Sequence, residues 1–306
     1  MRNDERVAYL NGQFVPEGEA KISIHDLGFV YGDAVYDTAR TFAGKLFKLK
    51  EHIERLYRTL RYVAIDPGHA PEEMTRLTEE LVERNLPFLR DGHDFWVTQR
   101  ISRGLAHYEG DARPYEGATV VIECVPLPLA SRAHYFRDGI PVVTPSVRRV
   151  APEALSPRAK TTNYLNMTLG DLEAKAQNPK NWAVLLDHRG NLCEGIGANV
   201  FLVQDGKVRT PTEEHVLPGV SRATVIEICR AEGIPLEECD LALHDAYVAD
   251  ECFLTSTSLC LCPVTSFNGR RMAGGVFGPV TRKIADAYSK LVGLDFVQQY
   301  LDHAPE

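Results

Sequence analysis

The segment Ser156 to Asn166, SPRAKTTNYLN, sets one lysine, Lys160, between a proline turn and a run of small hydroxyl and amide residues. Its neighbours Ala159 and Thr161 carry no charge. A lysine whose amine is desolvated or close to other cations becomes a nucleophile and can form a Schiff base with a carbonyl. A solvated surface lysine is the ordinary alternative. Three further stretches suit an anion. In LPGVSRATV a Pro-Gly turn feeds a predicted helix whose N-cap is read as Ser221, so free amides and the positive end of the helix dipole meet there. TSTS, residues 255–258, offers hydroxyls and amides where a strand ends, and Arg55 follows Glu54 in a predicted helix. Each also has a plain structural reading: a helix cap, a turn, and a surface cation paired with Glu51.

Taken with Lys160, these features describe a site for a phosphorylated aldehyde. A cofactor of that kind also needs a carboxylate at its pyridine nitrogen, so that the ring can take electrons. Glu194, in the predicted loop of GNLCEGIGANVFLV and followed by glycines that admit a ring closely, is the candidate.

Other chemistries lack their motifs. There is no G-x-S-x-G elbow, no Walker loop and no H-E-x-x-H, and Gly195-Ile196-Gly197 is a fragment of a dinucleotide fingerprint that does not open a helix. The net charge of −8 is spread along the chain, with only short basic clusters such as Arg148-Arg149, which argues against nucleic acid as a partner. The opening MRNDERVAYL lacks the apolar core of a signal peptide, and no apolar run reaches membrane-span length, so a cytoplasmic location is expected. Seven cysteines without paired spacings read as reduced thiols, and Cys260 and Cys262 as a strand-borne pair of small buried hydrophobes rather than metal ligands.

The elements that must position these residues follow from periodicity. VAYLNGQFV predicts a hairpin at Asn11-Gly12. FVYGDAVYDTARTF predicts a strand, and HIERLYRTLRYVAI a helix with Ile53, Leu56, Leu60 and Val63 on one stripe. A second helix starts at Pro71, and FWVTQRIS and ATVVIECVPL are further strands. Residues 126–138 lose periodicity and gather prolines, so the expected organisation is a small N-terminal α/β domain (1–125), a linker (126–138) and a larger C-terminal α/β domain (139–306) carrying the lysine. Strands and helices mix without a regular βαβ repeat, which favours two α+β lobes.

The stretches ISIHDLGFVYGDAVYDTARTFAGKLFKLKEHIERL, AKTTNYLN, GNLCEGIGANVFLVQDGKVRTP, VLPGVSRATVIEI, DECFLTSTS, PVTSFNGR and GPVTRKI, in order over about residues 22 to 284, resemble the class IV pyridoxal-phosphate aminotransferases. That family includes branched-chain and D-amino acid transaminases, (R)-selective amine transaminases and aminodeoxychorismate lyase. The resemblance implies a two-domain α/β homodimer of fold type IV, D-amino acid aminotransferase-like, with its site between the lobes. It implies that Lys160 carries pyridoxal 5'-phosphate as a Schiff base and shuttles the substrate proton. Glu194 would pair with the pyridine nitrogen and Tyr164 would reach the ring hydroxyl. Arg55, the amides of Val220 and Ser221, and the pair Ser256 and Thr257 would hold the phosphate.

The same resemblance puts Tyr31, Tyr36, Thr38 and Arg40, with Trp96, Thr98 and Arg100 of the second strand, in the substrate pocket. Arg100 is offered as a carboxylate partner, with Arg103 and His107 as rivals and an outside acid as the plain alternative. Arg40 and Tyr31 are similar to branched-chain enzymes, while Tyr36 and Thr38 look more like the D-amino acid and (R)-amine groups. The expected activity is transfer of an amino group from a small aliphatic or aromatic amino acid, branched-chain-like first, to a 2-oxo acid. D-amino acid or (R)-amine transamination and an aminodeoxychorismate-type lyase are the alternatives.

Overall fold

The computed structural model describes residues 5–107 and 117–305, so the first four residues of the opening segment lie outside the described residues. Contacts divide the chain into two units, Met1–Leu127 with Ala159–Asn163, and Pro128–Arg158 with Tyr164–Glu306.

In the first unit, β1 (Val7–Leu10) and β2 (Gln13–Pro16) join at Asn11-Gly12, whose φ values of 44° and 92° give the left-handed turn that a two-residue hairpin needs. Then come α1 (Leu27–Tyr31), β3 (Ala34–Phe42), β4 (Lys45–Leu46), α2 (Leu49–Val63), α3 (Pro71–Asn85), β5 (Phe95–Ser102) and β6 (Thr119–Pro126). The strand expected from residue 29 thus begins at Ala34. Asp26 accepts the Gly28 amide at 2.8 Å and caps a turn of helix over the preceding residues.

The six strands form an antiparallel sheet in the order β2-β1-β6-β5-β3-β4. Strand alternation divides its residues between two faces. Val35 and Ala39 of β3 and Val97 and Ile101 of β5 pack with Ile53, Leu56 and Leu60 of α2 and with Met74, Leu77 and Leu81 of α3. The opposite face carries Tyr36, Thr38 and Arg40 paired across to Arg100, Thr98 and Trp96.

The second unit begins with α4 (Leu129–Asp138), where the linker was expected. Leu129, Ala133 and Phe136 recur at helical spacing and are buried, and Phe136 stacks on Tyr300 with centroids 4.5 Å apart. There follow β7 (Ile140–Val143), α5 (Leu165–Gln177), β8 (Trp182–Leu186), β9 (Leu192–Gly195), β10 (Ala198–Gln204), β11 (Lys207–Thr210) and α6 (Val220–Ala231). The chain continues through β12 (Leu236–Glu238), α7 (Leu243–Val248), β13 (Glu251–Ser256), β14 (Cys260–Phe267), β15 (Arg270–Arg271), α8 (Pro279–Val292) and α9 (Phe296–Leu301).

Strands β10, β13, β14, β7, β8 and β9 pair in turn, and β9 pairs back onto β10, closing a ring. Strands β11 and β12 extend from β10, and β15 from β14. Cys260 and Cys262 are buried on β14, as the alternation predicts. Among the described residues no helix is long and apolar enough to cross a membrane.

Leu56 is 0% exposed between α2 and the sheet. Leu56→Ala should cost about 2–5 kcal/mol, read as a lower urea midpoint at unchanged slope.

Candidate active site

Lys160 lies in a short extended stretch of the first unit, not at a helix start; α5 begins five residues later at Leu165. The stretch lies alongside β3 as a further edge piece. The Tyr36 amide donates to the Lys160 carbonyl at 3.0 Å, the Thr162 amide to the Ala34 carbonyl at 2.9 Å, and Thr161 bridges Val35. The Lys160 amide donates to Thr59 Oγ1 at 3.2 Å, and that hydroxyl donates to the Arg55 carbonyl at 3.0 Å. Lysine and arginine are thereby tied to one point on α2. The lysine is 8% exposed, and its Nζ lies 4.2 Å from the Tyr36 ring centroid. The ring quadrupole attracts a charged amine held over its face.

Arg55 is buried rather than a surface cation on the Glu51 side of the helix. It makes a two-point contact with Asp37, Nε to Oδ2 at 2.8 Å and Nη2 to Oδ1 at 2.7 Å, and the side chains of Asp37, His52 and Arg55 are all buried. His52 Nδ1 lies 2.7 Å from Asp37 Oδ1, which makes Nδ1 the protonated nitrogen, donating to the carboxylate. Burial pushes the Asp37 carboxyl up, but the Arg55 charge and the His52 hydrogen bond outweigh it and hold Asp37 well below the usual carboxylate range. Burial holds the His52 imidazole below its ordinary value, against the pull of Asp37.

The residues expected in the substrate pocket divide. Tyr36, Thr38, Thr98, Trp96, Arg40 and Arg100 share one sheet face, and the Thr38 and Thr98 hydroxyls are 3.1 Å apart. Tyr31 is not with them: it ends α1 and is 75% exposed. Arg40 is buried, with Nη2 3.7 Å from Asp94 and its guanidinium 4.0 Å above the Phe42 ring. Arg100 pairs with Glu123 of β6, Nε to Oε1 at 3.0 Å, and stands 5.4 Å from the Tyr36 ring. Of its rivals, Arg103 pairs with Asp33 and binds the Val63 and Ala64 carbonyls at the end of α2, while His107 is exposed beyond β5.

In the second unit Glu194 sits within β9 rather than in a loop. It lies opposite Asn199 of β10, which lies opposite Thr255 of β13, so three polar side chains form a buried row across three strands. Glu194 Oε1 accepts Arg149 Nε at 3.1 Å and Oε2 accepts the Leu217 amide at 2.9 Å. Asn199 Nδ2 donates to the Leu217 carbonyl at 3.0 Å. Leu217 is thus pinned by both its amide and its carbonyl, and the chain runs on to α6.

The N-cap of α6 is Gly219, not Ser221, and among the described residues no side chain caps the helix. A Cβ at residue 219 would fall 2.2 Å from Asn199 Oδ1, so only glycine fits that close approach. The amides of Val220 and Ser221 lie in the uncapped first turn. Ser256 Oγ accepts the Leu259 amide at 3.2 Å and so shapes the turn, with Thr257 next to it. Among the described residues the buried Thr255 Oγ1 has no hydrogen-bond partner. Tyr164 is the N-cap residue of α5, packed against the cluster that holds Val143, Met167 and Leu185.

An uncapped helix N-terminus, an orphaned buried hydroxyl and an oriented carboxylate in one sheet fit a phosphorylated pyridine ring. The sequence profile of the family described as amino-transferase class IV matches residues 34–267. The chain belongs to the class IV aminotransferases.

Similar proteins include one of Methanocaldococcus jannaschii, provisionally named a branched-chain-amino-acid aminotransferase, 36% identical over 92% of this chain and 95% of that one. The D-alanine aminotransferase of Listeria monocytogenes is 32% identical over 90% of this chain and 92% of its own. Among solved structures, the branched-chain aminotransferase of Thermoproteus uzoniensis with norvaline superposes with a TM-score of 0.83, 29% identity and 97% of each chain. The T.th. branched-chain amino acid aminotransferase complexed with N-(5'-phosphopyridoxyl)-L-glutamate gives 0.83 at 28% identity, over 94% of this chain and 95% of that one. The aminotransferase uses pyridoxal 5'-phosphate, and its substrates are an amino acid and a 2-oxo acid.

Sequence reasoning passes over the residues of this aminotransferase that hold the candidate ones: Asp37, His52, Thr59, Arg149 and Asn199. One signal for them exists. His52, Arg55 and Thr59 fall at i, i+3 and i+7, a polar line beside the apolar stripe of α2. Asp37 and Asn199 are set by strand pairing and leave no local signature.

His52 titrates lower in the folded chain than its ordinary value of 6.5, so below that pH the unfolded state binds a proton that the folded state refuses. Acidification from about pH 7 to about pH 5 should therefore lower the urea midpoint, and His52→Gln, which keeps a donor for Asp37, should flatten that slope.

Proposed function

We propose that this aminotransferase takes its amino group from a small aliphatic or aromatic amino acid with an uncharged, branched-chain-like side chain. The observation that carries the reading is the sheet face beside Lys160. It is built from Tyr36, Thr38, Trp96 and Thr98, and its arginines already face carboxylates, Arg40 with Asp94 and Arg100 with Glu123. Such a face offers aromatic and methyl surface to a side chain and little unbalanced charge. The branched-chain names of the similar proteins agree. The D-alanine aminotransferases among the relatives make D-amino acids the second reading.

Bound pyridoxal phosphate supplies an aldehyde for an amine and a ring that takes up the electron pair left when the substrate Cα loses its proton. The rest is work for this chain's residues. Lys160 Nζ, buried beside the Tyr36 ring, would take that proton and return it one position along. Thr59 and the edge of β3 hold the lysine backbone, so the amine moves on a fixed stem. Glu194, oriented by Arg149 and the Leu217 amide, would meet the ring nitrogen. Arg55, the first turn of α6 at Val220 and Ser221, and Ser256 with Thr257 would hold the phosphate, and Tyr164 the ring hydroxyl. The aminotransferase is read as a homodimer. Its cysteines, present as thiols, suit a reducing compartment, which supports the cytoplasm.

Incubating holoenzyme with L-amino acids, D-amino acids and (R)- or (S)-amines, without acceptor, and following the cofactor absorbance isolates donor choice. Branched-chain L-amino acids should react fastest. Reaction of D-substrates alone would replace this reading with the second, and pyruvate released from aminodeoxychorismate would make the protein a lyase. Lys160→Ala should lower amino transfer by on the order of 10³-fold. Borohydride should fix cofactor to Lys160 in the native protein; label recovered on another side chain would remove the lysine from its role.

A further inference from the structure

A serine hydroxyl serves an anion only when its hydrogen points outward, and the turn between β13 and β14 carries a side-chain chain that sets this direction. All of its members lie in the second unit. Arg132 of α4 donates Nη1–H to Ser258 Oγ at 2.7 Å. Ser258 Oγ lies 3.5 Å from Ser256 Oγ, and the Leu259 amide donates to Ser256 Oγ at 3.2 Å. Ser258 is buried and Arg132 half-buried, so water competes little for these bonds.

A guanidinium has hydrogens to give and no lone pair, so Ser258 can only accept from it. An oxygen that accepts from a cation becomes a poorer acceptor for a second hydrogen, while its own hydroxyl becomes a stronger donor. Between the two serines the hydrogen is therefore biased to run from Ser258 to Ser256. Ser256 Oγ then accepts from two sides, the Leu259 amide and Ser258, and its own hydrogen is left for a third group. A phosphate oxygen is an acceptor of the right kind.

The arginine is not what holds the turn. Tyr300 of α9 donates to the Ser258 carbonyl at 2.8 Å, and Ser256 pairs with Cys260 across the turn. Without Arg132 the backbone would keep its shape, but Ser256 could give its hydrogen to Ser258 and show a ligand its lone pairs.

We propose that Arg132 is a positioning residue for the cofactor phosphate: through Ser258 it directs the Ser256 hydroxyl outward as a donor. The proposal rests on the reading that Ser256 holds the phosphate, and the experiment separates the two.

Holoenzyme is equilibrated with competing pyridoxal, which lacks the phosphate, and protein-bound phosphorus is measured after free ligand is removed. The ratio of the two affinities isolates the phosphate contacts from the rest of the site. Ser256→Ala should lower the preference for the phosphorylated form by roughly tenfold or more, the scale of a hydrogen bond to a charged group. Arg132→Met should lower it by roughly five- to tenfold. Arg132→Lys, which keeps an obligate donor, should restore most of the preference. Ser258→Ala removes the rival acceptor, so its ratio should stay within about twofold of native, and adding Arg132→Met to it should change little further. A loss on removing Arg132 that persists when residue 258 is already alanine would overturn the proposal, since the arginine would then act by charge alone. So would a native ratio in folded Arg132→Met while Ser256→Ala lowers it. A native ratio in Ser256→Ala would overturn both the proposal and the phosphate reading of that serine.

Discussion

The buried Asp37–Arg55 pair is the contact on which the placing of the first unit's candidate residues depends. Two charges taken out of water cost several kcal/mol each, and only close, two-point geometry offsets that. Here it does so between a sheet strand and a helix, at 2.7 and 2.8 Å, with His52 filling a further lone pair of the carboxylate. The pair therefore registers α2 against β3 more narrowly than apolar packing can. Thr59, one turn beyond Arg55, inherits that register and passes it to the backbone of Lys160. Removing one partner would strand the other charge at a cost of about 3–5 kcal/mol, and the lysine would lose its support along with the helix position.

The second unit solves a related problem chiefly with hydrogen bonds to the backbone. Glu194, Asn199 and Thr255 sit side by side because consecutive pairings of an antiparallel sheet put them in line. Glu194 and Asn199 each take one half of Leu217's backbone polar groups, and the chain then passes close to Asn199 at Gly219 before α6 begins. A single pinned residue thus sets a carboxylate and a helix N-terminus at a fixed spacing. Unlike the first unit's ion pair, this row leans on few charges: Glu194 brings one, and Arg149 faces it.

The same economy marks the sheet face proposed for the substrate. Both arginines on it are set against carboxylates, one deeply buried and one half in water. Burial separates the two: Arg40 is locked with Asp94 and Phe42, while Arg100 and its carboxylate are open to solvent. Two arginines that alternate on neighbouring strands therefore have different physical roles.

The candidate groups were legible in the chain because the chemistry proposed for them demands particular residue types in contiguous motifs. A lysine in AKTTNYLN, a carboxylate ahead of G-x-G and a Pro-Gly-led helix each have a plain structural reading as well, and it is their order along the chain that resembles the family. Periodicity likewise determined the hairpin at Asn11-Gly12, the apolar stripe of α2 and the two faces of β3 and β5. What tertiary structure alone decided is who holds these groups. Asp37 on Arg55, Glu123 on Arg100 and Arg149 on Glu194 join residues 18, 23 and 45 positions apart. Strand order and helix docking bring them together, and no local pattern encodes either. The helix over 129–138 and the return of 159–163 to the first unit have the same origin. A segment's composition fixes what it can bury, while its partner is chosen by the rest of the chain.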